Sequence, residues 1–146
     1  MAAMWVVSVA LLAADGQVLL QRRPEGRQHG GLWEFPGGKV EPQETAEAAA
    51  IREMAEELGV AIAREDLVPV GFASNGGGDG AGGEAGGRGV VLLLYVCQRW
   101  QGTARALDDQ ALGWFAPQAV AGLAMPPLDY PLARALQRFV EKSQAW

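Results

Sequence analysis

Glu44, Arg52, Glu53, Glu56 and Glu57 are the residues of this chain whose types and spacing could do chemistry together. The stretch from Ala46 to Leu58 is rich in Ala, Glu, Met and Leu, holds no Gly or Pro, and stops at Gly59, a residue suited to a left-handed C′ position. That composition predicts a helix. At ~100° per residue, Ile51, Met54 and Leu58 fall on one side, while Glu53, Glu56 and Glu57 gather on the other. Three acids at i, i+3 and i+4 in the last two turns repel one another and meet the negative end of the helix dipole, each bad placement costing roughly 0.2–1 kcal/mol. The bland alternative is a solvated acidic stripe, but a helix selected only for stability would carry Lys or Arg there. A hard divalent cation reverses the argument, because Mg²⁺ takes carboxylate oxygens as ligands.

The flanking residues extend this set. Pro36-Gly37-Gly38 lacks side chains that would obstruct approach, so backbone carbonyls there can turn towards a metal. Arg52 keeps its charge and can pair with Glu44 or Glu53 to hold them in register. Glu44 precedes the helix, where a carboxylate is electrostatically favoured, and Thr45 is the candidate N-cap. Glu44 therefore reads equally as a capping group and as a base or metal contact.

Residues 38–60 fit G-x5-E-x7-R-E-U-x-E-E-x-G-U at all nine specified positions, from Gly38 through Glu44, Arg52, Glu53, Met54, Glu56, Glu57 and Gly59 to Val60, with U a bulky aliphatic. Chance produces such a match on the order of once in 10⁹ starting positions. The pattern is the Nudix box, and the chain resembles a Nudix hydrolase, a family that uses divalent metal to cleave a nucleoside diphosphate linked to a further group. Within the family it is most similar to the MutT type, which hydrolyses nucleoside triphosphates to monophosphate and pyrophosphate and cleanses the pool of oxidised guanine nucleotides such as 8-oxo-dGTP. The likeness also runs through Gln21-Arg22-Arg23, Leu32 to Lys39, Gln98-Arg99-Trp100 and Met125-Pro126-Pro127.

The resemblance implies Mg²⁺, with Mn²⁺ as a substitute, held by Glu53, Glu56, Glu57 and a carbonyl of Gly37 or Gly38. Glu53 would be the first candidate for general base, Glu44 the second, with Arg52 supporting both. Arg23 would contact phosphate or sugar, though it also reads as a surface charge. Phe35 would line a base pocket, though it also reads as core. Lys39 belongs to the same substrate-binding set, and Arg88 would close over the substrate. Where the MutT pattern has a glutamate ahead of a Trp-bearing strand, this chain has Asp108-Asp109, with Asp108 the better match for a fourth metal carboxylate. Asp129 stands where the family reads the base with asparagine. An ionised aspartate only accepts hydrogen bonds, which suits the N4 amino group of cytosine and opposes the O6 of guanine. CTP or dCTP is thus the alternative substrate class to 8-oxo-dGTP, and N-capping of the last helix is the alternative role for Asp129. Subfamilies acting on ADP-ribose or dinucleoside polyphosphates carry Pro or Tyr about sixteen residues past the box, where this chain has Gly76-Gly77-Gly78. A non-catalytic nucleotide sensor would tolerate loss of a box acid, and none is lost.

Composition narrows the setting. One domain with a sizeable core follows from 146 residues of which 49% are hydrophobic. A net charge of −5 without a Lys/Arg run argues against a nucleic-acid polymer as partner and for a small nucleoside triphosphate. Monomer and homodimer both remain open. The apolar first residues lack a basic region and are interrupted at Asp15-Gly16, so they read as a strand and not as a leader or membrane span. Cys97 is the only cysteine, which excludes a disulfide and a zinc-cysteine site and points to the cytoplasm. His29 is the only histidine and reads as a surface-loop residue without a catalytic part, so proton transfer falls to a carboxylate.

The elements that must position these residues follow in order. A hairpin is expected from strands at about 4–13 and 17–23, then a short Leu32–Phe35 segment, the acidic helix, and a strand near Leu67–Phe72. The low-complexity stretch 74–89 reads as a flexible loop between strands. Its Gly78-x-Gly80-x-x-Gly83 is not a dinucleotide fingerprint, because a glycine run cannot open a helix. Val90–Cys97, Ala111–Phe115 and a helix from about Tyr130 to Glu141 complete an α/β fold, a mixed curved β-sheet between helices in α/β/α layering.

Overall fold

A computed structural model describes residues 3–75 and 89–144, so Arg88 and the bulk of the glycine-rich stretch, including its glycine fingerprint, lie outside the described residues. The elements are β1 (Met4–Leu11), β2 (Val18–Arg22), β3 (Trp33–Glu34), β4 (Gly37–Lys39), α1 (Ala46–Leu58), β5 (Leu67–Ser74), β6 (Val90–Cys97), β7 (Ala111–Phe115), α2 (Pro117–Val120) and α3 (Asp129–Gln144). The expected α/β layering holds, with α1 on one side of the sheet and α3 on the other. Strand β4 and the short α2 carry too few apolar residues to show in the periodicity.

The expected first hairpin does not form as a ladder. The turn itself is made: Ala13 N–H bonds the Gln17 carbonyl at 2.8 Å, Gln17 N–H bonds Asp15 Oδ1 at 3.0 Å, and Gly16 takes φ 88°. The strands then diverge, leaving one isolated bridge between Leu12 and Val18. β1 joins a four-stranded mixed sheet in the order β4-β1-β6-β5, while β2 joins a three-stranded antiparallel sheet in the order β3-β2-β7. β1 and β6 run parallel through eight register pairs, from Met4–Val90 to Leu11–Cys97. The alternation of side chains along each strand sends Val7, Val9, Leu11, Tyr95 and Cys97 to one core, beneath α1. Ala10, Leu92, Leu94 and Val96 go to the other, beneath α3, where they meet Leu132, Ala133 and Leu136.

Helix α1 has the boundaries its sequence signals. Thr45 is extended at φ −77°, ψ 162° and its Oγ1 accepts from Ala48 N–H at 3.1 Å, and Gly59 takes the left-handed conformation at φ 71°. Ala49, Ala50, Met54 and Leu58 are buried, and Ile51 packs half-buried against the same core. Four buried positions on one side fix the helix's rotation, and with it the direction of the acids. Tyr95, itself buried, donates its hydroxyl to Glu47 at 2.8 Å and pins the first turn to β6. Replacing Thr45 by Ala removes one cap bond and should lower stability by about 1 kcal/mol. Urea unfolding of the two proteins measures this, and an unchanged midpoint would mean the cap contributes nothing.

Candidate active site

Because α1 buries Met54 and Leu58 completely, Arg52, Glu53, Glu56 and Glu57 are turned towards β4 and the chain that leads into the helix. Arg52 is the centre of the cluster. Its Nε and Nη2 bind the two oxygens of Glu44 at 2.8 and 3.0 Å, a bidentate pairing. Nη1 reaches Glu53 at 3.1 Å and Glu56 at 2.9 Å, and Nη2 also donates to the Lys39 carbonyl at 3.0 Å. The expected pairing with Glu44 or Glu53 is thus a pairing with both, and with Glu56 as well.

These contacts divide the acids by basicity. Hydrogen bonding from Arg52, helped by the Glu41 backbone N–H, lowers the Glu44 carboxyl to about 2. Burial raises Glu53 despite the opposing charge of Arg52. Glu57 is pushed furthest, to about 8, first by burial and then by the charge of Glu53, with a hydrogen bond from the Gly37 backbone opposing. Its Oε1 is buried without a hydrogen-bond partner. The glycines of β4 make this crowding feasible. A Cβ on Gly38 would strike the Glu53 carboxylate, and one on Gly37 would strike the Val7 carbonyl of β1.

Next to Gly37 and Gly38 lies a cavity of about 220 Å³, lined among others by Ser8, Arg23, Glu34, Phe35, Lys39 and Asp129. Arg23 Nε binds Glu34 Oε1 at 2.6 Å. Phe35 is only 2% exposed; it belongs to the core beneath α3 and also forms part of the cavity wall. Asp129 is buried at 4% exposure, and its Oδ2 accepts from the Phe35 backbone N–H at 3.3 Å. It is the first residue of α3 and its carboxylate is drawn across to another element, which replaces the N-cap role. Burial, then the charge of Glu34, raises its carboxyl to about 7.

Two expectations change. Asp108 is not gathered in among the other acids: its side chain is 64% exposed, with Arg27 at 3.8 Å, although its charge still adds to the field on Glu57. Glu44 is the weakest base of the set, because Arg52 holds it ionised. His29 lies in a surface loop as expected, in a left-handed turn at φ 61°, and with Gln28 it lines the cavity. The Gly30-Gly31 pair after it was the available signal, since a Cβ on Gly30 would press on the Arg27 and Pro24 carbonyls and Gly31 has φ 78°. Arg88 falls outside the described residues.

The α/β fold sets a helix-borne acid cluster beside this cavity. The NUDIX domain family matches residues 3–139, and the chain belongs to that family. It is a Nudix hydrolase, similar to a CTP pyrophosphohydrolase of Escherichia coli (strain K12), at 36% identity over 129 residues that cover 88% of each chain. A putative 8-oxo-dGTP diphosphatase 2 of Mycobacterium tuberculosis (strain ATCC 25618 / H37Rv) is 34% identical over 141 residues, 96% of this chain and 93% of that one. The solution structure of the E. coli ORF135 protein superposes with a TM-score of 0.79 at 33% identity, covering 94% of this chain and 91% of that one.

Nudix hydrolases use divalent metal ions, and the acid face fits one chemically. Glu57 offers a buried oxygen with no partner, Glu53 is crowded against it, and β4 has no Cβ in the way. Among the described residues no three acidic, His or Cys side chains converge tightly enough to hold an ion as they stand, because Glu44, Glu53 and Glu56 are drawn onto Arg52. Ion uptake therefore requires some of these side chains to exchange the guanidinium for the cation.

Since Glu57 stands at about 8 in the folded chain against an ordinary 4.5, its contribution to stability is fully present below pH 4.5 and is lost as pH rises through 8. In chelator, the parent should lose on the order of 1–3 kcal/mol more than Glu57→Gln across that window, and a divalent cation should restore it. Parallel pH profiles in urea unfolding would remove Glu57 as the strained group.

Proposed function

We propose that this chain is a pyrophosphohydrolase that converts nucleoside triphosphates to monophosphate and pyrophosphate, with cytosine nucleotides as the preferred class and Mg²⁺ as the ion, replaceable by Mn²⁺. The observation that carries the base preference is Asp129, a buried carboxylate on the cavity wall with one oxygen occupied by the Phe35 N–H. Ionised, its remaining acceptor capacity suits the N4 amino group of cytosine. Similarity to the E. coli CTP pyrophosphohydrolase supports the same class.

Glu53, Glu56 and Glu57, with a carbonyl of Gly37 or Gly38, are the proposed metal set, and Asp108 is its outer member. When bound, the metal supplies positive charge against the triphosphate and acidifies the attacking water. Glu53 is the proposed base: its carboxyl is raised and partly shielded, whereas Glu44 is tied to Arg52 and serves as an anchor. Arg23 and Lys39 border the cavity and are suited to phosphate or sugar, while Phe35 gives the base an apolar wall. Arg88 is retained as a closing contact on the resemblance alone.

A second reading, 8-oxo-dGTP, is favoured by the same residue in its other state. With its carboxyl near 7, Asp129 is partly protonated at neutral pH, and a protonated carboxyl both donates and accepts, as the amide of asparagine does. Similarity to the mycobacterial putative 8-oxo-dGTP diphosphatase points the same way. We read the chain as one domain acting in the cytoplasm on free nucleotides, as monomer or homodimer, without nucleic-acid polymer or membrane. A net charge of −5 without a Lys/Arg run supports the free-nucleotide part of this reading, and among the described residues no helix is long and apolar enough to cross a membrane.

Steady-state kcat/KM for CTP, dCTP, dGTP, 8-oxo-dGTP and ADP-ribose, with product identification, tests the proposal. Cytosine nucleotides should lead and release pyrophosphate, with an EDTA control silent. Nucleoside diphosphate plus phosphate as products would refute the regiochemistry, and nucleotide binding without any turnover would favour a sensor. Asp129→Asn should move the preference towards 8-oxo-dGTP by about tenfold, the size of one exchanged hydrogen bond; an unaltered preference would sink the base-reading role. Glu53→Gln should cost roughly 10²–10⁴-fold in kcat without loss of fold, as judged by circular dichroism. Near-normal turnover would dismiss it as base.

A further inference from the structure

We infer that Gln110 is a positioning residue of this site: its buried side-chain amide ties the backbone of Glu57 to that of Asp108, with Gln21 of β2 as a secondary contact. The inference rests on the reading of Glu57 as a metal ligand.

An amide side chain offers two donors and one acceptor carbonyl, and Gln110, 8% exposed, uses both kinds. Its Nε2 donates to the Glu57 carbonyl at 3.1 Å and to Gln21 Oε1 at 3.3 Å, and its Oε1 accepts from Asp108 N–H at 2.8 Å. The Glu57 carbonyl belongs to the last turn of α1, where carbonyls have no partner within the helix. That turn carries no basic residue to satisfy them. Backbone N–H groups of the segment before β7 do so instead: Leu107 N–H also reaches the Glu57 carbonyl at 3.1 Å, and Arg105 N–H reaches Leu58 at 2.9 Å.

Gln110 is the side chain that closes this arrangement. Between Asp108 and Gln110 stands Asp109 in the left-handed region at φ 59°, a conformation that a non-glycine residue avoids unless something holds it. The Asp108 N–H to Gln110 Oε1 bond brackets that residue on both sides. Gln21, the third partner, is buried on β2 and lies in register with Glu34 of β3. One amide thus joins the acid helix, the Asp108 turn and the strand next to the cavity's Arg23–Glu34 pair. Its described hydrogen bonds reach no side-chain oxygen of the candidate ligands. Its effect is on where the Glu57 and Asp108 side chains start from.

The test is Mn²⁺ binding to the substrate-free protein, followed by electron paramagnetic resonance, together with steady-state kinetics. Gln110→Met fills a similar volume without the bonds. It should weaken Mn²⁺ affinity by roughly 10–100-fold, the range for outer partners of metal ligands, and lower kcat by about tenfold, with KM for the nucleotide within about twofold. Gln110→Glu keeps the Oε1 acceptor and serves where the methionine variant does not fold; it should weaken Mn²⁺ binding at least as much. Gln21→Met removes only the β2 tie and should leave Mn²⁺ affinity within about threefold. Parent-like affinity in the Gln110 variants overturns the inference, as would equal weakening by Gln21→Met, which would show a packing effect only. Glu57→Gln separates the two levels: if it alone loses Mn²⁺, the site stands and Gln110 falls. If Glu57→Gln binds Mn²⁺ like the parent, the site reading itself fails.

Discussion

A single guanidinium makes the acid face of α1 sustainable. Glu53 and Glu56 stand towards the unfavourable end of a helix dipole and Glu44 adds a third negative charge from before the helix, yet all three converge on Arg52. The pairing also crosses element boundaries, because Glu44 lies before the helix and the Lys39 carbonyl belongs to β4. Arg52 is therefore both counter-charge and brace. Its planar fork serves four partners at once, which a lysine ammonium on a flexible stem could not do with the same geometry. Glu57, left outside this arrangement, is the acid whose charge is least compensated and whose proton is hardest to remove.

The brace works only because the backbone comes unusually close to it. β4 lies beside β1 at the edge of the sheet and against α1, with Gly37 packed on the Val7 carbonyl and Gly38 on the Glu53 carboxylate. A side chain at Gly37 would force β4 away from β1, and one at Gly38 would displace the Glu53 carboxylate. The acid cluster and the cavity then share this thin partition, so the acids of α1 and the cavity wall are positioned relative to each other by the same three-residue strand.

Much of this could be read from the chain before any coordinates. Thr45, Gly59 and the apolar stripe define α1 to the residue, since capping and periodicity are local signals. The choice of sheet for β2 could not be read in the same way. Asp15-Gly16 announces a turn, but whether the strands stay paired is decided by β7, whose Ala111–Phe115 claims β2 along its whole length. Asp129 has the same history: its place before Pro131 suggests a cap, and the Phe35 N–H, 94 positions away in the chain, claims the carboxylate instead. Asp108 is near the acids in sequence logic yet solvent-facing in space, because the turn at Asp109 directs it towards Arg27. Pattern located the acids; long-range hydrogen bonds decided which way they face.

The parallel union of β1 with β6 bears on how the protein is born. Those strands pair Met4 with Val90 and Leu11 with Cys97, so the central seam of the larger sheet joins the start of the chain to a segment far along it. Pairings of such large sequence separation carry a loop-closure entropy that must be met before any contact rewards it, and they slow folding relative to locally wired proteins. The acidic helix, with local caps at both ends, can form early, but its socket includes Tyr95 and Cys97 of β6. A nascent chain emerging from the ribosome therefore holds the helix against β1 and β4 alone until β6 follows, and a chain cut short before that strand would lack the part of the socket that Tyr95 and Cys97 supply.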